Sequence, residues 1–158
     1  MTALTITRAT APTDAVRLLI GELDATLAAE YPPEQRHGLA LDAIFAPHMR
    51  FFVASLNGAP VGCGGVALFD GFGEVKRMYV RDAARGKGVA QKVLARLEAE
   101  ARAAGLPVLR LETGTAQHAA MRLYERAGFK VCDAFGDYLT KAAASITTSV
   151  FFEKSLGA

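Results

Sequence analysis

The sequence predicts a mixed α/β fold, a central sheet with helices on both faces, and three observations predict it. Uncharged apolar runs at 51–56 and 61–69 flank Asn57-Gly58, the dipeptide that favours a tight antiparallel hairpin. Stretches from Pro12 to the Tyr31 region and over 88–104 repeat apolar residues at helical spacing. After the hairpin, short apolar strands come mostly singly between helices, which places helices on both sides of one sheet.

Taken in order, residues 4–8 alternate apolar and polar as a short strand. Pro12 opens a helix on which Ala15, Val16, Leu19, Ile20, Leu23 and Leu27 share a face, and Tyr31-Pro32-Pro33 stops it. A second helical stretch is expected over 35–45, ending before Pro47. The hairpin strands 51–56 and 61–69 follow, and Asp70-Gly71-Phe72-Gly73 turns the chain into a strand over 74–80. The most regular helix spans 88–104, with Val89, Val93, Leu94, Leu97 and Ala101 on one face and a stop at Gly105 and Pro107. Residues 108–111 read as a strand, 117–127 as a helix capped by Gly128, and 129–135 and 148–153 as the closing strands. No repeat, linker or low-complexity block divides the chain.

At 158 residues, 51% hydrophobic and 22% charged, the chain suits one domain over 1–158 that buries its own core. A formal net charge of +2 is too small to argue for nucleic acid or an anionic membrane, so neither partner is expected. Cys63 and Cys132 stand far apart with no CxxC, which reads as buried thiols in a reducing compartment. His37, His48 and His118 lack the mutual spacing of a metal site, and no metal is expected. The uncharged run 51–69 has the length of a membrane span, but the Asn-Gly turn in its middle makes it a hairpin instead. Met1-Thr2-Ala3-Leu4-Thr5-Ile6-Thr7-Arg8 lacks a basic region followed by an apolar one, so no signal peptide is read. A soluble, cytoplasmic protein is expected, as a monomer or homodimer.

The chemistry concentrates between residues 74 and 90. A strand runs into a short polar connection and then Arg85-Gly86-Lys87-Gly88 at the start of the regular helix. The first amides of a helix have no intrahelical acceptor, and the helix dipole places partial positive charge there. Gly86 and Gly88 present no side chain to hold phosphates away from those amides, and Arg85 and Lys87 add charge, so the loop reads as a diphosphate cradle. A P-loop is excluded because Arg81 and Gly88 stand where it needs Gly and Ser or Thr. A dinucleotide fingerprint starting at Gly86 is not supported either, because Gln91 occupies the place of its last small residue.

Arg85-x-x-Gly88-x-Ala90 after an apolar strand resembles the Q/R-x-x-G-x-G/A signature of the GNAT acetyltransferase superfamily. Leu123-Tyr124-Glu125-Arg126-Ala127-Gly128-Phe129, about 35 residues on, is similar to that family's second hallmark. The resemblance covers nearly the whole chain in element order. It implies a mostly antiparallel sheet with a splayed strand pair at the CoA site, and acetyl-CoA as cosubstrate.

By position, the resemblance places the CoA pyrophosphate on Arg85, Gly86, Lys87, Gly88, Val89 and Ala90. It places pantetheine against Met78 and Val80. Gln117 stands where the family often has a cofactor-contacting Asn. Tyr124 matches the tyrosine that protonates the departing thiolate; the plainer reading is an aromatic packed at a helix end. Glu74 stands eleven positions before Arg85, as does the base in the family's histone-acetyltransferase branch; the plainer reading is a solvated acid at a strand start. A base is needed because an amine with pKa near 10.4 is protonated at neutral pH, and freeing its lone pair costs about 4–5 kcal/mol.

In the family the acceptor pocket lies between the first helices and the loop before the last strand, here 24–49 and 135–149. Tyr31, Arg36 and Tyr138 are the polar candidates in those regions. Arg77 is a further one on the strand, where strand alternation puts Lys76 and Arg77 on opposite faces. The apolar composition of both regions suits a small-molecule amine, and Arg36 or Arg77 would hold its carboxylate if it has one. A non-catalytic CoA-binding sensor or partner module and a protein or peptide N-acetyltransferase are the alternatives.

Overall fold

The computed structural model describes residues 3–157. Met1 and Thr2 of the N-terminal stretch, and Ala158, lie outside the described residues. Seven strands form one sheet: β1 (Leu4–Ala9), β2 (Met49–Leu56), β3 (Ala59–Leu68), β4 (Gly73–Val80), β5 (Val108–Gly114), β6 (Lys130–Cys132) and β7 (Ser149–Ser155). Their order is β1-β2-β3-β4-β5-β7-β6, and every neighbouring pair is antiparallel except β4 with β5. Four helices complete the fold: α1 (Asp14–Glu30), α2 (Val89–Ala103), α3 (His118–Arg126) and the short α4 (Ala143–Ile146).

Local signals set these elements. Thr13 caps α1 with its hydroxyl on the Val16 amide, and Pro32 and Pro33 follow its end. The β2–β3 turn has Asn57 and Gly58 both at positive φ, 51° and 85°, which fits the right-handed twist of a tight hairpin. Val89, Val93, Leu94, Leu97 and Ala101 of α2 are buried against the sheet together with Tyr124 of α3. Helix α1 buries Val16, Leu19 and Ile20 on the opposite face, against Phe51, Val53 and Cys63. A third, aromatic cluster of Phe135, Tyr138 and Phe151 closes the end of that sheet near β7.

Three expectations need correction. The stretch 35–45 is not a helix: it holds two 3-10 turns, Pro33–Gln35 and Asp42–Phe45, joined by irregular chain. Leu39, Leu41 and Phe45 pack onto the α1 cluster from this irregular path, so their burial needs no helix. The strand expected over 129–135 pairs only at Lys130–Cys132; the chain then leaves the sheet edge to deliver Phe135 and Tyr138 to the aromatic cluster. Finally, Lys76 and Arg77 face the same side. The β3–β4 register shifts between Cys63 and Gly65, and Arg77 takes a left-handed conformation with φ 58°. Lys76 donates to the His37 carbonyl, and a Cβ on the adjoining Gly38 would meet the Arg77 guanidinium. A left-handed non-glycine residue costs about 1–2 kcal/mol. Arg77 is held there by an ion pair with Asp24 and by the Cys63 thiol on its carbonyl at 3.4 Å.

Among the described residues, no helix is long and apolar enough to cross a membrane, and no group of three or more His, Cys, Asp or Glu is placed to hold a metal ion.

Candidate active site

Strands β4 and β5 pair only from Gly73 to Val75 with Leu109 to Leu111, and then diverge. Beyond that point β5 continues to pair with β7 on its other side. The opening leads into a cleft of about 130 Å³ between the strands, α1 and α3. Its walls include Met78 of β4, Glu112, Thr113 and Gly114 of β5, and Gln117 and Tyr124 of α3. Tyr31, Gln35, Arg36 and His37, from the chain after α1, also line it.

Tyr124 is placed by the end of its own helix. Gly128, at φ 99°, reverses the chain so that the Phe129 amide returns to the Tyr124 carbonyl at 3.0 Å. The ring packs against Phe129 and Phe152. The hydroxyl makes no hydrogen bond among the described residues, and the residue lines the cleft. Burial pushes the phenol's pKa up, and the Glu112 carboxylate adds to the shift, so Tyr124 is protonated at neutral pH.

Two carboxylates stand near the point where β4 and β5 diverge. Glu112 lines the cleft one residue beyond the last β4–β5 pair. It accepts a hydrogen bond from the Ser149 hydroxyl at 2.7 Å. Burial raises its pKa above the usual carboxylate range, against the pull of the Ser149 hydrogen bond and of His37 and Lys76. Glu74 is buried and sits behind the wall, where its Oε2 accepts from the Tyr138 hydroxyl at 2.8 Å and from Lys76 Nζ at 3.2 Å. Lys76 Nζ also donates to Tyr138 and to the His37 carbonyl, which ties β4 to the chain after α1.

The chain after α1, which lines the cleft, is tied to a segment distant in sequence. Gln35 donates to the Ala144 carbonyl and Thr147 hydroxyl, and accepts from Thr148; His37 Nε2 meets the Ser145 carbonyl at 2.7 Å. Tyr31 closes the inner end, accepting the Ala116 amide at 3.0 Å. Gly114 makes that closure feasible, because a Cβ there would overlap the Tyr31 hydroxyl.

At the other end of β4, the chain passes through a 3-10 turn, Asp82–Ala84, into the loop before α2. Gly86 and Gly88 have φ 78° and 75°, and Gly88 caps the helix with no side-chain hydrogen bond. A Cβ on Gly86 would meet nothing within 4 Å, and one on Gly88 only Gln91 Oε1 at 3.8 Å. The space on the side-chain face of both glycines is therefore open, at a helix start of the kind that receives a diphosphate. Val89 turns its side chain into the core and leaves only its backbone for the loop. Arg85 is exposed and pairs with Asp82 at 3.2 Å.

Comparison with known proteins bears on this geometry. Residues 18–129 match the model of the acetyltransferase (GNAT) family. This chain belongs to the GNAT acetyltransferase family. It is 44% identical over 158 residues to an IAA acetyltransferase of Azospirillum brasilense, covering 99% of this chain and 100% of that one. An uncharacterized N-acetyltransferase of Bacillus subtilis, YsnE, is 34% identical over 87% of this chain and 90% of its own. A structure from Klebsiella pneumoniae, described as a candidate acyl-CoA N-acyltransferase, superposes with TM-score 0.76 at 38% identity, over 97% of both chains. The PaiA N-acetyltransferase of Thermoplasma acidophilum, solved in complex with coenzyme A, shares the fold with TM-score 0.70 at 16% identity, over 97% and 99% of the chains.

Of the residues that the GNAT resemblance singles out, Tyr124, Met78, Gln117, Tyr31, Arg36 and Arg77 line the one cleft. Gln117 Nε2 is tied to Glu30 at 2.6 Å. Val80 packs against the α2-side core, one residue before the connection to the cradle. Glu74 and Tyr138 stand behind the cleft, joined to each other. Glu112 was not apparent from the sequence, because Glu112-Thr113-Gly114-Thr115 reads as a polar turn after the strand. The available signal was an acid directly following an apolar strand in the segment before Tyr124.

Proposed function

We propose that this GNAT protein transfers the acetyl group of acetyl-CoA to the primary amine of a small molecule, by direct attack while both substrates are bound. The observation that carries the reading is that Tyr124 and Glu112 both line one cleft where β4 and β5 diverge. Acetyl-CoA, when bound, supplies an electrophilic carbonyl and a thiolate leaving group. The amides and charges of 85–90 would hold its diphosphate, and the backbone of β4 around Met78 and Val80, free on its β5 side, would meet its pantetheine arm.

Glu112 takes the proton from the acceptor ammonium, which frees the lone pair to form the C–N bond. Its raised proton affinity brings it closer to an amine's than an ordinary carboxylate's is. As the C–S bond breaks, the Tyr124 hydroxyl gives its proton to the thiolate, whose pKa of roughly 8.5 makes it a modest leaving group. Glu74, the carboxylate the family resemblance implies as base, is engaged by Lys76 and Tyr138; in this reading it holds Lys76 in the cleft wall. The cleft wall contains no cysteine. Burial, only partly offset by Arg77, pushes the Cys63 thiol up to about 12, which does not suit an acyl-carrying nucleophile. The roof formed by 35–37 and 144–148 favours a small acceptor over a peptide chain.

Tyr124→Phe keeps the ring and removes the proton. With acetyl-CoA and an acetylated amine, kcat should fall roughly ten- to a thousand-fold while acetyl-CoA affinity is nearly kept. An unchanged kcat, with chemistry shown to be rate-limiting, returns Tyr124 to packing. Acetyl-CoA binding without turnover of any amine by the unaltered protein would favour a CoA-binding sensor instead.

A further inference from the structure

Two charged residues that line the cleft, one cation and one anion, form no ion pair among the described residues. Two of the charges lining the cleft are neutralised within the chain: Lys76 by Glu74 at 3.2 Å, and Arg77 by Asp24. Arg36 and Glu112 are the exceptions. Arg36 forms no ion pair among the described residues, and its Nε is buried without a hydrogen-bond partner. Glu112 likewise forms no ion pair there, and its hydrogen bond is to the neutral Ser149 hydroxyl. Arg77 adds a second buried Nε without a partner, on a side chain only 3% exposed. All three residues line the same cleft.

A buried guanidinium N–H left unsatisfied is costly, and a planar carboxylate is the group that satisfies it best. An ammonium is the matching partner for Glu112. We infer that the acceptor is a free amino acid, its carboxylate held by Arg36 with Arg77 beside it, and its ammonium presented to Glu112. Leu23 and Leu27 of α1 line the same cleft and offer an apolar wall to the side chain. One zwitterion then neutralises both unpaired charges, whereas a simple amine leaves Arg36 uncompensated and an amide-blocked residue leaves it facing a neutral group. This inference rests on the acetyl-transfer reading, because it takes the Glu112 end as the amine end.

The test is calorimetry on the full chain saturated with CoA. The probes are the twenty common L-amino acids, each with its amide and, where available, its decarboxylated amine. At least one amino acid should bind about tenfold or more tightly than both of its counterparts, the size of effect a charge-assisted pair gives. Arg36→Gln should collapse that ratio towards one, and Arg36→Lys should restore part of it. Glu112→Gln should weaken amino acid and decarboxylated amine together, leaving their ratio in place. Equal or tighter binding of the amides or amines overturns the inference. Failure of every amino acid to bind while CoA binds also overturns it and leaves the acetyl-CoA reading standing. Failure of CoA itself to bind removes both.

Discussion

At the residue scale, the role proposed for Glu112 carries a cost to the fold. Its side chain is half-buried in the cleft that Tyr124 also lines, and desolvation raises its pKa in the folded chain. A carboxyl whose folded pKa lies above its unfolded value stabilises the fold most below the unfolded pKa. The contribution is lost as pH climbs through the folded one. Glu112→Gln keeps an acceptor for Ser149 and removes the charge. Thermal unfolding should therefore find the variant more stable than the parent at pH 7–8. The difference should close as pH falls towards roughly 4, where both forms are neutral. The same variant should lower kcat/KM across the pH range in which the parent's rate rises with amine deprotonation. A variant less stable than the parent at neutral pH would mean that Glu112 is a structural ion and not a strained functional one.

At the element scale, the loop before α2 and the end of α3 were the most legible parts of the sequence, because both depend on local chain chemistry. The turn at Arg85-Gly86-Lys87-Gly88 needs only left-handed glycines before a helix start with no side-chain cap, and both are present. The regular face of α2, the Asn57-Gly58 turn and the Gly128 cap were equally readable from local pattern. The stretch 35–45 was not, because Leu39, Leu41, Ile44 and Phe45 mimic helical spacing while tertiary bonds hold the chain open. Lys76 on the His37 carbonyl is one such bond. The common side of Lys76 and Arg77 was also hidden, since a bulge that breaks strand alternation depends on the partner strand. The cradle can be tested by a pair of variants. Gly88→Asn and Gly88→Asp carry the same backbone cost at φ 75°, about 1 kcal/mol, and differ in charge. Both should fold, and calorimetry should find acetyl-CoA binding much weaker in Gly88→Asp than in Gly88→Asn. Equal affinities would move the diphosphate elsewhere.

At the scale of the whole molecule, the cleft draws on α1, the chain after it, β4, β5 and α3, and is roofed by the segment around α4. Local pattern predicted most of these elements, but not how they meet. Glu112 reaches Ser149, and Gln35 reaches Thr147, across more than thirty and more than one hundred residues. For that reason Glu112 was missed and Tyr138 was expected in the cleft, whereas it bonds to Glu74 behind the wall.

The central claim is that amine and acetyl-CoA occupy this cleft together and that the acetyl group passes between them directly. Initial velocities measured with both substrates varied, using the best acceptor from an amine and amino-acid screen, test it most directly. Direct transfer predicts intersecting double-reciprocal lines, no burst of free CoA without acceptor, and one N-acetylated product per CoA released. Parallel lines together with an acetylated protein trapped in the absence of amine would contradict it.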